Sequence, residues 1–433
     1  MSSTKDNFNN FEKNKLELEA IDALKMQNYS LAESLYKKLI SINADSKEYN
    51  NNLANIYLIS KQPDLAIKYY NKALMLDHNI HKVENQSIAY NLSCAYQINN
   101  DLDNTIKYLA LTLEINPEHQ SALGKIENLK QILSKNPDTS KNHYNLAVIF
   151  HKLKNYKEAE KYYLLDLHNN SSFESNYNLG SIYQKLKDYN NALIYYKAAY
   201  AINPDSNTEY LINSIEENSN IIKPPKEYIS SLFNYYSDNY ENDLINNLTY
   251  KVPEYFFDIF KKHLIDKEKK FNLLDLGCGT GLIGQKFKIA SHKVSKIIGT
   301  DLSERMLNLA DDKKVYTDLY NEDISESLNN KKIIESNINL ITAADVLVYI
   351  GDLDEVFYFM KDNFKNCYFL FSCEDNNSTK DYELKKTGRY QHNKDYLFKI
   401  LKKYNFNYIF DKQFQLRKNE NTPVTGNIFL VKT

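Results

Sequence analysis

Gly277, Gly279, Gly281 and Gly284 fall close together in a 433-residue chain that has only 10 glycines. The run Phe271-Asn-Leu-Leu-Asp-Leu-Gly-Cys-Gly-Thr-Gly-Leu282 leads an apolar strand straight into this cluster and then into a helix. Such a loop lets backbone approach a bulky ligand that side chains would exclude. Two frames compete for it. Gly279-x-Gly281-x-x-Gly284 satisfies the spacing of a dinucleotide loop. Asp275-x-Gly277-x-Gly279-x-Gly281 fits better, because it puts a carboxylate at the strand end, where it would take a ligand ammonium beside a neutral nucleoside. Asp301 follows 301 − 281 = 20 residues later, placed to accept both hydroxyls of a ribose. Glu322-Asp323, after a further strand, would reach an adenine amino group.

Groups able to move a proton near such a ligand are Asp345, Tyr349, Glu374, Tyr390 and His392. His392 is the first catalytic candidate, since an imidazole exchanges protons near neutrality, and Glu374 is the second. Arg389 stands out in a chain with three arginines, because its planar fork suits a carboxylate on a substrate or a buried acid. Cys94, Cys278, Cys367 and Cys373 form no CxxC pair, and no cluster with metal-ligand spacing is visible, so neither a metal nor a disulfide framework is expected.

The elements that must position these residues alternate. Strand patterns at 296–300, 315–319, 338–343 and 367–371 interleave with helices from Ser303 and Asp352. That order predicts a doubly wound parallel sheet, whose ligands sit at the carboxyl ends of the strands. Helix-like stretches at 228–250 and 253–267 precede it, after a linker marked by Pro224-Pro225.

The first half reads differently. Asn52-Leu53-Ala54 with Tyr57, Asn91-Leu92-Ser93 with Tyr96, Asn145-Leu146-Ala147 with Phe150, and Asn178-Leu179-Gly180 with Tyr183 repeat one pattern, and a fainter copy carries Ala20, Ala23, Ala32 and Tyr36. The Ala32-to-Ala66 step is 66 − 32 = 34 residues, and the array is interrupted near 121–140. It resembles the tetratricopeptide repeat, a pair of helices with a period near 34 that usually binds proteins in a concave groove. In that family an asparagine before the leucine can bond the amides of an extended peptide, which maps here onto Asn52, Asn91, Asn145 and Asn178.

Lys+Arg 54 against Asp+Glu 56 gives a net charge of −2, so no basic field points to nucleic acid. No run approaches the ~18 apolar residues of a membrane helix. The polar first ten residues carry no secretory signal, and the expected location is cytoplasmic with reduced thiols.

Leu-Asp-Leu-Gly-Cys-Gly-Thr-Gly at 274–281 resembles motif I of the class I S-adenosylmethionine-dependent methyltransferases. More narrowly, 224–433 resembles the methyltransferases that carry tetratricopeptide repeats. The supporting segments are Tyr228-x-x-x-Leu232-Phe233, Tyr250-x-Val-Pro253, Ala343-Ala-Asp-Val-Leu-Val-Tyr-Ile-Gly-Asp-Leu353 and Thr387-Gly-Arg-Tyr-Gln-His392, with antiparallel strands at 406–414 and 426–432 closing the sheet. The resemblance implies S-adenosylmethionine as cofactor, held by Asp275, Gly277, Gly279, Gly281, Asp301 and Asp323, with Leu302, Met306 and Ala344 as further wall residues. It also implies a capping helix that brings Tyr236 and Tyr240 beside the sulfonium, where a ring face favours a cation. Asn234 and the following residues depart from the family's Phe-Asp-x-Tyr-Ala-x-x-Phe-Asp at this lid.

The expected molecule is thus an α-solenoid of about five tetratricopeptide repeats at 13–219, followed at 220–433 by a Rossmann-like methyltransferase domain with its cap at 224–268. The repeats would recruit a protein or peptide partner. The alternative is an interaction scaffold whose second domain binds cofactor without catalysis.

Overall fold

The computed structural model describes residues 2–77, 80–135, 140–218, 221–237, 240–242, 244, 248–419 and 422–433. It divides into two compact units, Met1–Ile202 and Asn203–Thr433.

The first unit is built of antiparallel helix pairs: α1 (Ser2–Lys25) with α2 (Tyr29–Ile42), α3 (Lys47–Ile59) with α4 (Pro63–Met75), and α5 (Gln86–Ile98) with α6 (Leu102–Ile115). A single helix, α7 (Gln120–Lys135), precedes two more pairs, α8 (Ser140–Lys152) with α9 (Tyr156–Asn169) and α10 (Phe173–Lys185) with α11 (Tyr189–Ile202). The interruption expected near 121–140 is thus α7, with 136–139 outside the described residues. Polar side chains start these helices where the sequence needs them: the Asn28, Ser46, Asp101, Asn155 and Ser172 side chains each accept a first-turn backbone N–H. Each such cap stabilises its helix by about 1 kcal/mol. Inside a pair, the aromatic of the repeat pattern stacks on a ring twelve positions later: Tyr57 on Tyr69, Tyr96 on Tyr108, Phe150 on Tyr162 and Tyr183 on Tyr195, with centroids 5.4–5.7 Å apart. The small residues Ala20, Ala32, Ala54, Ala66, Ala147 and Ala159 are fully buried, which lets the helices approach closely.

The second unit opens with α12 (Ser206–Ile215), whose Tyr210 hydroxyl donates to the Gly388 carbonyl (3.0 Å). This contact ties α12 to the sheet of its own unit, Asn203–Thr433. Next come α13 (Lys226–Tyr236), the short turn α14 (Tyr240–Asn242) and α15 (Val252–His263). The sheet is then laid down as β1 (Phe271–Leu276), α16 (Leu282–Lys288), β2 (Val294–Asp301), α17 (Glu304–Asp312), β3 (Asp318–Asn321), α18 (Ile324–Asn329), α19 (Lys331–Ile334) and β4 (Leu340–Ala343). It closes with α20 (Asp354–Asn363), β5 (Tyr368–Asp375), β6 (Tyr382–Leu384), β7 (Tyr390–His392), α21 (Lys394–Lys403), β8 (Asn407–Asn419) and β9 (Thr422–Lys432).

The parallel strands run in the order β3-β2-β1-β4-β5; β9 adds antiparallel to β5, and β8 antiparallel to β9. Both faces are buried, as a parallel sheet requires. Alternation along β1 sends Leu274 and Leu276 into one core with Phe357, Phe369 and Leu397. Leu273 joins the opposite core, with Phe256 and Phe260 of α15 and Phe287 of α16. Asp275 shares the parity of Leu273. In register, Leu276 lies beside Thr300 of β2 and Ala343 of β4, so these three strands end level at one edge.

Candidate active site

That edge, where β1 lies between β2 and β4, is the topological switch point of the sheet. A cavity of about 140 Å3 lies there. Gly277, Gly279, Asp301, Leu302, Asp323 and Ala344 line it, as does Tyr240 from above.

The glycines have separate reasons. Gly277, Gly279 and Gly281 all take positive φ (61°, 53° and 90°), conformations that β-carbons disfavour. A Cβ on Gly277 would strike Val346 at 2.4 Å, and one on Gly281 or Gly284 would strike the Tyr316 ring at 2.9 or 2.5 Å. Around Gly279 the nearest atom would be on the Tyr240 ring at 3.8 Å. Gly279 is therefore where backbone faces open space, while Gly281 and Gly284 make room for Tyr316, a residue the sequence did not single out.

Asp301 ends β2 with its Oδ2 accepting the Gly279 N–H (2.9 Å) and its Oδ1 accepting the Ser303 N–H (2.8 Å). Burial pushes its carboxyl above the ordinary range, and those amides oppose the shift. The carboxylate is fixed against the glycine loop while still lining the cavity.

Asp275 does not line the cavity, contrary to the expectation that it would meet a ligand ammonium. Its position on the α16 face of β1 buries it to 1% exposure. Its Oδ2 accepts the Tyr316 hydroxyl (2.7 Å) and its Oδ1 the Thr342 hydroxyl (2.9 Å). Burial raises its carboxyl to about 7, against those two hydrogen bonds. The Tyr316 oxygen in turn accepts the Gly284 N–H (3.2 Å), so Asp275 supports the loop from beneath. Gly281 and Met306 also lie outside the lining; Met306, on α17, is fully buried.

Above the cavity, α13 turns Ile229 and Phe233 inward, four residues apart on one helical face. Tyr236 falls on the outer face at 39% exposure, so the lid contributes Tyr240 and Phe233 in place of Tyr236. The Phe233 ring meets Tyr240 and Tyr349 edge to face (5.9 and 5.6 Å), forming a three-ring wall. Asn234 uses its Oδ1 to accept the Ser303 hydroxyl (2.6 Å), which docks α13 on the start of α17. At the head of α13, Lys226 reaches across to Asp323 and Glu326 (2.6 Å each). Asp323 also begins α18 by accepting the Glu326 N–H (2.7 Å). Its carboxylate is thus already engaged by Lys226 where an adenine amino group was expected.

Beyond Ala344, Asp345 adopts φ 58°, a conformation uncommon outside glycine, with its N–H donated to the Ser372 hydroxyl (2.8 Å). Its carboxylate pairs with Arg417 (2.5 and 2.7 Å), and Arg417 also pairs with Glu374. Burial raises the Glu374 carboxyl, but Arg417 and Arg389 outweigh it and hold the group below its ordinary value. Glu374 is therefore a clamped anion and a weak base. His392 is fully buried outside the cavity, its Nε2 facing the carbonyls of Ile350 (2.8 Å) and Gly351 (3.0 Å). Nε2–H must donate to both. Burial lowers its imidazole to about 4, so His392 stays neutral and holds the Ile350-Gly351 backbone rather than serving the cavity as a base.

In the repeat unit, Asn52 Nδ2 donates to the Tyr36 hydroxyl and Asn91 Nδ2 to Asn55 Oδ1 (3.1 Å each), and Asn178 bonds Tyr144. Asn145 is half-buried like the other three.

Residues 267–417 match a family model described as a methyltransferase domain, and 48–80, 140–165 and 173–206 match tetratricopeptide-repeat models. The chain joins tetratricopeptide repeats to a methyltransferase domain. No protein of curated function matches it. Among solved structures it is similar to an S-adenosylmethionine-dependent methyltransferase from Mesorhizobium loti (16% identity, 38% of this chain, 93% of that one, TM-score 0.30). It is also similar to Burkholderia thailandensis 1,6-didemethyltoxoflavin-N1-methyltransferase, solved with 1,6-didemethyltoxoflavin and S-adenosylhomocysteine (13% identity, 49% and 92% covered, TM-score 0.37). The MamA protein is similar to it as well (16% identity, 44% and 90% covered, TM-score 0.24).

Proposed function

We propose that the methyltransferase domain uses S-adenosylmethionine to methylate an acceptor, and that the repeats recruit a protein partner. The observation that carries this reading is Gly279 open to the cavity beside the Asp301 carboxylate, at the switch point and under three aromatic rings. These residues fit the cofactor. Asp301 retains lone pairs for ribose hydroxyls, Gly279 admits the nucleoside, and the faces of Phe233, Tyr240 and Tyr349 suit a sulfonium. When bound, that cofactor supplies an electrophilic methyl whose leaving group needs no protonation.

The chain's own work is then to orient the acceptor and exclude water. No imidazole among the described residues lines the cavity, and Glu374 is clamped, so positioning carries the rate. The scaffold alternative differs in its products: it binds cofactor yet transfers nothing. Incubating the full chain with methyl-tritiated S-adenosylmethionine and a cell lysate decides between them. Enzyme-dependent label in any lysate fraction is the expected result, and label no higher than the cofactor-only blank, with cofactor bound, leaves the scaffold reading.

A further inference from the structure

We propose that the methyl acceptor is a small molecule bearing a carboxylate, and that Arg389 binds that carboxylate; this rests on the methyltransferase reading above. A second cavity, about 650 Å3, lies at the carboxyl end of β5, walled by the β6–β7 hairpin and the facing ends of β8 and β9. Its volume falls in the roughly 300–1,000 Å3 range of small-molecule sites. Its charged lining is Lys385, Arg389, Arg417 and Lys418 against Glu374, Asp375 and Glu383, with Asp375 taken up by Gln413 and Asn427 and Glu383 by Lys385.

Composition makes the arginines informative. The chain has three arginines among 54 basic residues, and two of the three line this one cavity. A chain that otherwise uses lysine places the planar fork where bidentate geometry matters.

The two arginines differ. Arg417 is spent: its guanidinium chelates Asp345 and pairs with Glu374, and its side chain is 6% exposed. Arg389 is ion-paired with Glu374 (3.6 Å) and Asp345 (3.7 Å), more loosely than Arg417 is, and keeps 26% of its side chain exposed. Its guanidinium lies over the Tyr349 ring, 5.5 Å from the centroid, which orients the fork. Asp345 and Tyr349, the neighbours that hold Arg389, also line the cofactor cavity. The two cavities therefore share a wall through Arg389. An acceptor with its carboxylate on that fork lies against the wall bordering the cofactor.

The test offers the full chain methyl-tritiated S-adenosylmethionine and the small-molecule fraction of a cell extract, either untreated or with its carboxylates converted to amides by carbodiimide and ammonia. Label is expected in the untreated fraction and at least tenfold less after amidation. Arg389→Gln should raise the apparent KM for the labelled acceptor at least tenfold, and Arg389→Lys should recover part of it. Calorimetric binding of S-adenosylhomocysteine by Arg389→Gln within twofold of wild type would show an intact fold. Undiminished label after amidation, label confined to protein, an unchanged KM in Arg389→Gln, or cofactor binding with no labelled small molecule each overturns the proposal. Failure of the wild type to bind S-adenosylhomocysteine instead overturns the methyltransferase reading beneath it.

Discussion

Asp275 shows how one carboxylate can serve a site without touching it. It is buried beside Tyr316 and Thr342, with its carboxyl raised to about 7. A carboxyl raised on folding binds its proton more tightly in the native state. The penalty is therefore absent below the unfolded value near 4, grows as pH rises toward 7, and is constant above that, with a slope of at most about 1.4 kcal/mol per pH unit. Asp275→Asn should flatten that part of the stability profile relative to wild type, measured by urea unfolding from pH 4.5 to 8. Parallel profiles would contradict this placement.

At the same scale, the readable residues were those marked by local spacing. Gly279 and Asp301 stood out because a glycine loop after a strand, and an acid after the next, leave a local signature. Tyr316 left none: it lies 32 residues beyond Gly284, and its fit under Gly281, Gly284 and Gly299 is a tertiary fact. Phe233 and Tyr236 are both aromatics on α13, and which one faces inward depends on how the helix docks through Asn234 and Ser303.

The elements were legible where periodicity and punctuation agree. The alternation from 271 to 371, the antiparallel close of the sheet and the paired helices of the first half all appear, whereas the β6–β7 hairpin, three residues per strand, is too short for a periodic signal. Within the stretch expected as one helix over 228–250, Lys226–Tyr236 and Tyr240–Asn242 are helical, while 238–239, 243 and 245–247 lie outside the described residues.

Glycine scarcity also shows at this scale. The turns within the repeat pairs pass through positive φ at Gln27, Lys61, Asn100, Lys154 and Lys187 (53–62°), a position helices commonly give to glycine. An L-residue there is strained, so Lys61→Gly and Lys187→Gly should each stabilise the repeat unit by about 0.5–1 kcal/mol, read as a higher thermal midpoint. A lower midpoint would show that these lysine side chains contribute more than their backbone strain.

The molecule as a whole consists of two units, each with its own apolar clusters: those spanning Ala20 to Ala95 and Ile106 to Ile182 in the first, and those on the two faces of the sheet in the second. Every residue that lines the cavity at the switch point lies in Asn203–Thr433. A fragment spanning 203–433 should therefore fold and bind S-adenosylhomocysteine within about threefold of the full chain; loss of binding by a folded fragment would contradict that division. No described helix is long and apolar enough to cross a membrane.

The central claim is that the cavity edged by Gly279 and Asp301 holds S-adenosylmethionine. Calorimetric titration of S-adenosylhomocysteine into the wild type and into Asp301→Ala tests it most directly. The account predicts one site per wild-type chain and an affinity lower by at least a hundredfold in the variant, with the variant still folded by circular dichroism. A wild type that binds no S-adenosylhomocysteine, or a variant that binds it equally well, would contradict the account.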